Sequence, residues 1–251
     1  VKHLSVELSE VAVRFTTSMN DVVNHYAFLF KDKKDHSYKE QLEDFIAECG
    51  LKNQDFDEQT ISWSTIRSTL VPANIFGESN PEKIYRLCFG EETPKDHIDY
   101  NRIPEQGIVN LFEIPLWVKS FFVIKYPRSI IQHEGSHVIR GLFSEPSFKL
   151  KTTLVIYNDF FLMCIAKENK LQFYTVFDYH FIDDIVYHLM FTLQQKEYLK
   201  ENGAIQICPG VGSSAEQISE LQQKIQSLQD LKNATITVNT DFITNSQKLC
   251  V

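Results

Sequence analysis

A mixed α/β fold made of two similar halves is the class that this 251-residue chain predicts, and three observations carry the expectation. Short apolar segments of strand length alternate with longer segments of helical period. The second half reads β-β-β-α-β-α-β in order. The first half opens the same way, β-β-β-α, which predicts a duplicated mixed sheet of three antiparallel strands, extended by strands reached through crossover helices.

In the first half, segments 4–8 and 11–16 alternate apolar and polar residues and lie close enough to predict a hairpin, with a third apolar stretch at 26–30. Ser37-Tyr38-Lys39-Glu40 has the spacing of a capping box. Leu42, Phe45, Ile46 and Cys49 share one face of the helix it opens, and Gly50 suits the stop. Residues 63–71 read as a strand closed by Pro72, followed by a short helical turn through Ile75-Phe76. Segments 84–89 and 108–113 are further strand candidates. Pro115, at the first helical position, opens an apolar helix carrying Trp117, Val118, Phe121, Phe122 and Ile124. Residues 129–133 then read as strand and 136–143 as a short helix.

The second half is more regular. Segments 152–157, 160–166 and 171–176 are short and apolar, separated by the turn formers Asn158-Asp159 and Glu168-Asn169-Lys170. A long helix follows, with Phe181, Ile185, Leu189 and Leu193 on one stripe and Ile182, Val186 and Met190 beside it. Next come a strand at 205–208, the loop Pro209-Gly210-Val211-Gly212, and a capping box at Ser213-Ser214-Ala215-Glu216. The helix it opens carries Ile218, Leu221, Ile225 and Leu228, and a last strand spans 234–238. The division between halves is expected at 127/128, giving lobes 1–127 and 128–251, with elements able to cross between them.

Composition removes several functions. With 25 Lys+Arg against 33 Asp+Glu, the net charge of −8 offers no counterion-release term for a nucleic-acid backbone. The longest apolar run, 160–166, is far short of the roughly 20 residues that a bilayer span needs. No export signal is visible, and the five cysteines form no C-x-x-C pair, so a reducing cytoplasm is expected.

One motif matches a catalytic pattern. His133-Glu134-Gly135-Ser136-His137 is H-E-x-x-H, which on a single helix supplies two zinc-ligating imidazoles and a general base. Against it, Gly135 would sit inside that helix at a cost of about 1 kcal/mol relative to Ala. The strand pattern before His133 also places the two histidines on different elements, and neither Glu145 nor Glu168 is well placed as a third ligand. A strand–turn–helix junction is therefore the favoured reading, and a zinc hydrolase using His133, Glu134 and His137 is an alternative. His180, Asp184 and His188, spaced i, i+4, i+8, read as the polar stripe of an amphipathic helix, with Asp184 bonded to both imidazoles. Nucleophile elbows, Walker loops and dinucleotide glycine motifs do not occur.

Leu4-Ser5-Val6-Glu7-Leu8 opening one half and Leu154-Val155-Ile156-Tyr157-Asn158 opening the other resemble the actin-like ATPase superfold, whose lobes are ribonuclease H-like. With Ser68-Thr69-Leu70-Val71-Pro72, the stretch 112–115, and Phe177-Asp178 leading into Asp184-Ile185-Val186-Tyr187, the chain resembles a bacterial family of uncharacterised proteins with that fold. The resemblance implies a cleft between lobes where relatives hold Mg-ATP. In those relatives each first hairpin carries an acidic residue and then a glycine, so that backbone amides approach phosphate. Here the turns read Glu7-Leu8-Ser9-Glu10 and Tyr157-Asn158-Asp159-Phe160, without glycine. Gly210 and Gly212 alone resemble the loop near adenosine. Glu7, Ser9, Asn158, Asp159, Gly210 and Gly212 are therefore the candidate remnants of a nucleotide cleft. The expectation is a non-catalytic member without a cofactor, a cytoplasmic scaffold or adaptor that binds another protein and no nucleic acid. A Mg-ATP-binding ATPase is the alternative.

Overall fold

The computed structural model describes residues 1–250 apart from 21, 53, 77–79, 91, 92 and 148. Its chain divides into two compact units, Val1–His137 with Thr244–Val251, and Val138–Ile243. The expected division at 127/128 moves ten residues later because a strand at Ile130–His133 pairs with the first unit's sheet. The C-terminal residues also return to that unit.

In unit 1, β1 (His3–Leu8), β2 (Ala12–Met19) and β3 (Val22–Leu29) form an antiparallel meander, followed by α1 (Asp35–Glu48) and β4 (Glu58–Trp63). Three further strands and two short helices come next: β5 (Ser68–Pro72), α2 (Ala73–Phe76), α3 (Pro81–Phe89), β6 (Ile98–Ile103) and β7 (Ile108–Glu113). Then α4 (Leu116–Lys125) leads to β8 (Ile130–His133) and α5 (Glu134–Phe143). The main sheet runs β3-β2-β1-β4-β8, with β4 and β8 parallel to β1, as right-handed crossovers through helices require. Leu4, Val6, Leu8, Val13, Phe15, Ile61 and Trp63 face one way and bury against Leu42 and Ile46 of α1 and Trp117, Val118 and Phe122 of α4.

β5, β7 and β6 make a separate antiparallel sheet with its own core of Val71, Phe76, Tyr85, Val109 and Leu111. This sheet corrects two expectations. Residues 63–71 are not one strand: the chain leaves the main sheet after Trp63 and enters the small one at Ser68. Residues 84–89 are helical, because Asn80 caps the Glu82 amide, Pro81 occupies the first turn and Gly90 ends the helix at φ 72°. An apolar run of six residues carries no period long enough to separate the two states.

Unit 2 contains β9 (Leu150–Ile156), β10 (Phe160–Lys167), β11 (Lys170–Asp178), α6 (Ile182–Gln195), β12 (Gly203–Pro209), α7 (Ala215–Ser227) and β13 (Ala234–Val238), in the expected order. Its sheet, β11-β10-β9-β12-β13, repeats the strand order of the first. Leu154, Ile156, Phe161, Met163, Ile165, Ile205 and Ile207 bury against Ile185 and Leu189 of α6 and Ile218, Leu221 and Ile225 of α7. Phe181 drops out of the predicted stripe, being 73% exposed at the N-cap. A last helix, α8 (Phe242–Gln247), and a 3-10 turn (Lys248–Cys250) close the chain.

Helix starts shift by a residue or two. Ser214 with Gln217 forms the reciprocal capping box, rather than Ser213 with Glu216. Pro115 is the N-cap of α4 rather than its first residue. Ser37 lies inside α1, where Gln41 bonds its carbonyl and hydroxyl. No helix among the described residues is long and apolar enough to cross a membrane.

Candidate functional site

Strand alternation gives the main sheet of unit 1 a second face, and that face is both buried and polar. His3, Ser5 and Glu7 of β1, Thr16 of β2, and Thr60 and Ser62 of β4 are each at most 3% exposed. Such a layer is stable only if its members satisfy one another. His3 meets the Ser5 hydroxyl through Nδ1 at 3.1 Å and the Thr60 hydroxyl through Nε2 at 3.1 Å. Burial, with Lys248 nearby, lowers its pKa to about 4, so the ring is neutral near pH 7.

Glu7 lies opposite Arg14 across the β1–β2 ladder. Its carboxylate accepts from Arg14 Nε at 3.1 Å and from Arg14 Nη2, and also from the Thr244 hydroxyl at 3.4 Å. A forked guanidinium contact is the strongest pairing open to a carboxylate, and it occupies both oxygens. The same C-terminal segment donates from Gln247 Nε2 to the Val6 carbonyl at 2.9 Å. Glu134, fully buried at the start of α5, accepts from Ser62 at 3.2 Å and Ser64 at 2.7 Å.

The turn after β1 is closed on itself. Ser9 Oγ accepts the amides of Val11 and Ala12, both at 3.2 Å, while Ser9 donates its own amide to the Ala12 carbonyl. A phosphate-binding turn needs amides pointing outward, and here the Ser9 side chain has taken two of them. Glu10 is exposed, and Tyr38 donates to its carbonyl at 2.9 Å.

The H-E-x-x-H residues fall on two elements: His133 ends β8, and Glu134 begins the helix that carries His137. His133 Nδ1 receives the Gly135 amide at 3.0 Å and the Asn110 side-chain amide at 3.1 Å, and Nε2 lies 3.4 Å from the Thr65 carbonyl. Both ring nitrogens are therefore committed, the first as acceptor and the second as donor. Burial lowers its pKa to about 3 despite the Thr65 contact, which acts the other way, and so keeps the ring neutral. Asn101 and Asn110, cross-strand neighbours in the small sheet, anchor this junction: Asn101 Oδ1 accepts from the His133 amide and the Ser136 hydroxyl. Among the described residues, no three His, Cys, Asp or Glu side chains gather as a metal-binding group.

Of the six candidate cleft residues, Glu7 and Ser9 belong to unit 1 and the other four to unit 2. Asn158 and Asp159 form the exposed β9–β10 turn, whose Asp159 carbonyl accepts the Tyr179 amide. Tyr157, just before it, is buried, stacked on Phe160 at 4.3 Å, and its carbonyl accepts from the Tyr179 hydroxyl at 2.5 Å. Gly210 packs against that ring: a Cβ there would lie 2.7 Å from two Tyr157 carbons. Its lack of a side chain thus serves packing. Gly212 supplies a left-handed turn at φ 87° before α7.

The aligned stripe at 180, 184 and 188 needs correction. His180 precedes α6, and Asp184 accepts the backbone amides of His180 and Phe181 at 2.9 and 2.8 Å instead of bonding imidazoles. Those amides, Phe181 first, lower its pKa. His188 stacks on Phe177 at 4.1 Å. Arg14, Ser62, Ser64 and Thr244 were missed as site residues. A hairpin register taken one pair further would have placed Arg14 on Glu7, but nothing local ties Thr244 to a strand 237 residues earlier.

A family model described as Protein of unknown function (DUF3822) matches residues 1–228, and the chain belongs to that family. No curated protein matches it. A Bacteroides thetaiotaomicron protein with actin-like ATPase fold and unknown function is similar over 100% of this chain and 96% of its own, with TM-score 0.76 and 15% identity. A chain of the PilM–PilN type IV pilus biogenesis complex is similar over 100% and 98%, with TM-score 0.63 and 10% identity. Ethanolamine utilization protein EutJ from Carboxydothermus hydrogenoformans covers 98% and 88% at TM-score 0.50 and 8% identity. The chain has the actin-like ATPase fold.

Proposed function

We propose that this protein is a non-catalytic member of the actin-like fold, a cytoplasmic scaffold or adaptor that works by binding another protein. One observation carries the reading: Glu7, the acidic residue of β1, has both carboxylate oxygens bound to Arg14, and Thr244 adds a further contact. A carboxylate so held is poorly placed to organise magnesium and water. Ser9, holding the Val11 and Ala12 amides, supports it from the phosphate side, and the packed Tyr157 ring beside Gly210 supports it in unit 2. A protein partner fits the company the fold keeps, since one similar chain is, by its name, part of a two-protein pilus assembly complex.

A ligand that binds only the folded state raises the unfolding midpoint. A thermal-shift panel of Mg-ATP, Mg-ADP and zinc is therefore expected to leave the midpoint unmoved. A saturable rise with either nucleotide would reinstate the ATPase reading, and a rise with zinc would favour the hydrolase.

A further inference from the structure

The outer strand of unit 1 is built unlike an edge that avoids partners. Proteins blunt exposed edges with lysines, prolines, bulges or shortness. β3 is eight residues long, pairs with β2 without a register shift, and reads Val-Val-Asn-His-Tyr-Ala-Phe-Leu, with neither charge nor proline. Val22, Val23 and Leu29 are 61, 45 and 62% exposed. The corresponding edge in unit 2, β11, carries Lys170 and Asp178 at its ends and faces a register shift in β10. The other outer strands of the two five-stranded sheets, β8 and β13, have only four and five residues.

Hydrogen-bond parity identifies the open groups. Phe30 donates to the Val11 carbonyl and Ser9 donates to the Ala12 carbonyl. Antiparallel bonding alternates, so Val22, Asn24, Tyr26 and Phe28 direct their backbone groups at β2. Val23, His25, Ala27 and Leu29 direct theirs outward. A partner strand must match that set. A second antiparallel β3 does so in any register that sets this outward set against itself, and the one with the longest overlap has Val23 facing Leu29 of the other copy and His25 facing Ala27. That register puts Tyr26 on the twofold axis and Asn24 opposite Phe28. No charge meets a like charge or is left buried alone, and Tyr26 and Phe28 extend the core face already packed on Phe15 and Phe45.

We propose that two copies of the chain pair through β3, antiparallel about an axis at Tyr26. The occupant is a second copy because the edge is its own complement in hydrogen-bond parity, sets Val23 against Leu29, and carries no charge for a second copy to repel. One strand edge is smaller than the roughly 800 Å² per partner of a standard stable interface, so the dimer belongs to the micromolar class.

Sedimentation velocity over about 1 to 200 µM brackets that class. The wild type is expected to shift from monomer to dimer across the range. Ala27→Pro removes an outward amide that its own sheet does not use, which an edge strand tolerates, and should leave a monomer throughout. Val176→Pro, at an outward position of β11, should dimerise like the wild type. A wild type that stays monomeric, a dimer that survives Ala27→Pro, or one that Val176→Pro abolishes would overturn the proposal. Should Ala27→Pro fail to fold, hydrogen exchange on the wild type decides. Protection at Val23, His25, Ala27 and Leu29 must rise with concentration, and unchanged protection there overturns the pairing. Neither result bears on nucleotide binding, so this inference and the proposed function fail separately.

Discussion

The two units share a strand order, β3-β2-β1-β4-β8 against β11-β10-β9-β12-β13, yet treat the second face of the sheet in opposite ways. Unit 1 fills it with His3, Ser5, Glu7, Thr16, Thr60 and Ser62; unit 2 places Thr153, Val155, Tyr157, Leu162, Cys164 and Cys208 on its counterpart, all buried. The apolar version is held by dispersion and exclusion of water, and tolerates imprecision to within a methyl group. The polar version holds only while each hydrogen bond is met, and the C-terminal segment contributes through Thr244 and Gln247. Twin topologies can therefore be stabilised by different physics. In unit 1, the Glu7 carboxylate and the Val11 and Ala12 amides find their partners within the chain itself.

The largest effect should come from breaking that layer. Arg14→Ala strands Glu7 as a buried carboxylate, and urea unfolding should show a loss of about 3–5 kcal/mol. Replacing both partners by apolar residues of similar size should recover much of it, because no charge then stays behind. If Arg14→Ala costs no more than a surface substitution, the polar layer is not what holds unit 1 together.

Acid should separate the units next. His3, with a pKa of about 4, and His133, at about 3, are both neutral in the folded chain and lie below the ordinary value of 6.5. Between those values the unfolded chain binds more protons, so stability falls as pH drops below about 6.5 and goes on falling toward 4 and then 3. The His3 shift alone corresponds to on the order of 3 kcal/mol. Unfolding midpoints at pH 7 and pH 4.5 should differ accordingly, and His3→Gln should flatten the difference. Hydrogen exchange should show unit 1 loosening before unit 2, whose second face holds no histidine.

A smaller effect tests the apolar side. Gly210→Ala would drive a Cβ to within 2.7 Å of the Tyr157 ring, which its stacking on Phe160 keeps from swinging aside. A cost of about 1–3 kcal/mol is expected, as for other overpacked sites. A neutral result would return Gly210 to being an ordinary turn glycine.

Much of this architecture was legible beforehand. The element order of unit 2 follows from apolar runs parted by turn residues, and its last strand, Ala234–Val238, sits where the pattern puts it. The small sheet was less readable, since the run at 84–89 fits strand or helix alike until Asn80, Pro81 and Gly90 are weighed. For the site, the alternation of His3, Ser5 and Glu7 with Leu4, Val6 and Leu8 shows which residues share a face. It does not reveal that both faces are buried. That depends on Thr244 and Gln247, which reach β1 only through the tertiary fold.

The central claim is that the turn after β1 spends its amides on Ser9 and its carboxylate on Arg14. It is tested most directly by following the backbone amide resonances of Val11, Ala12 and the 158–160 turn while Mg-ATP is added. The account expects them to stay in place at millimolar nucleotide; saturable shifts at Val11 and Ala12 would contradict it.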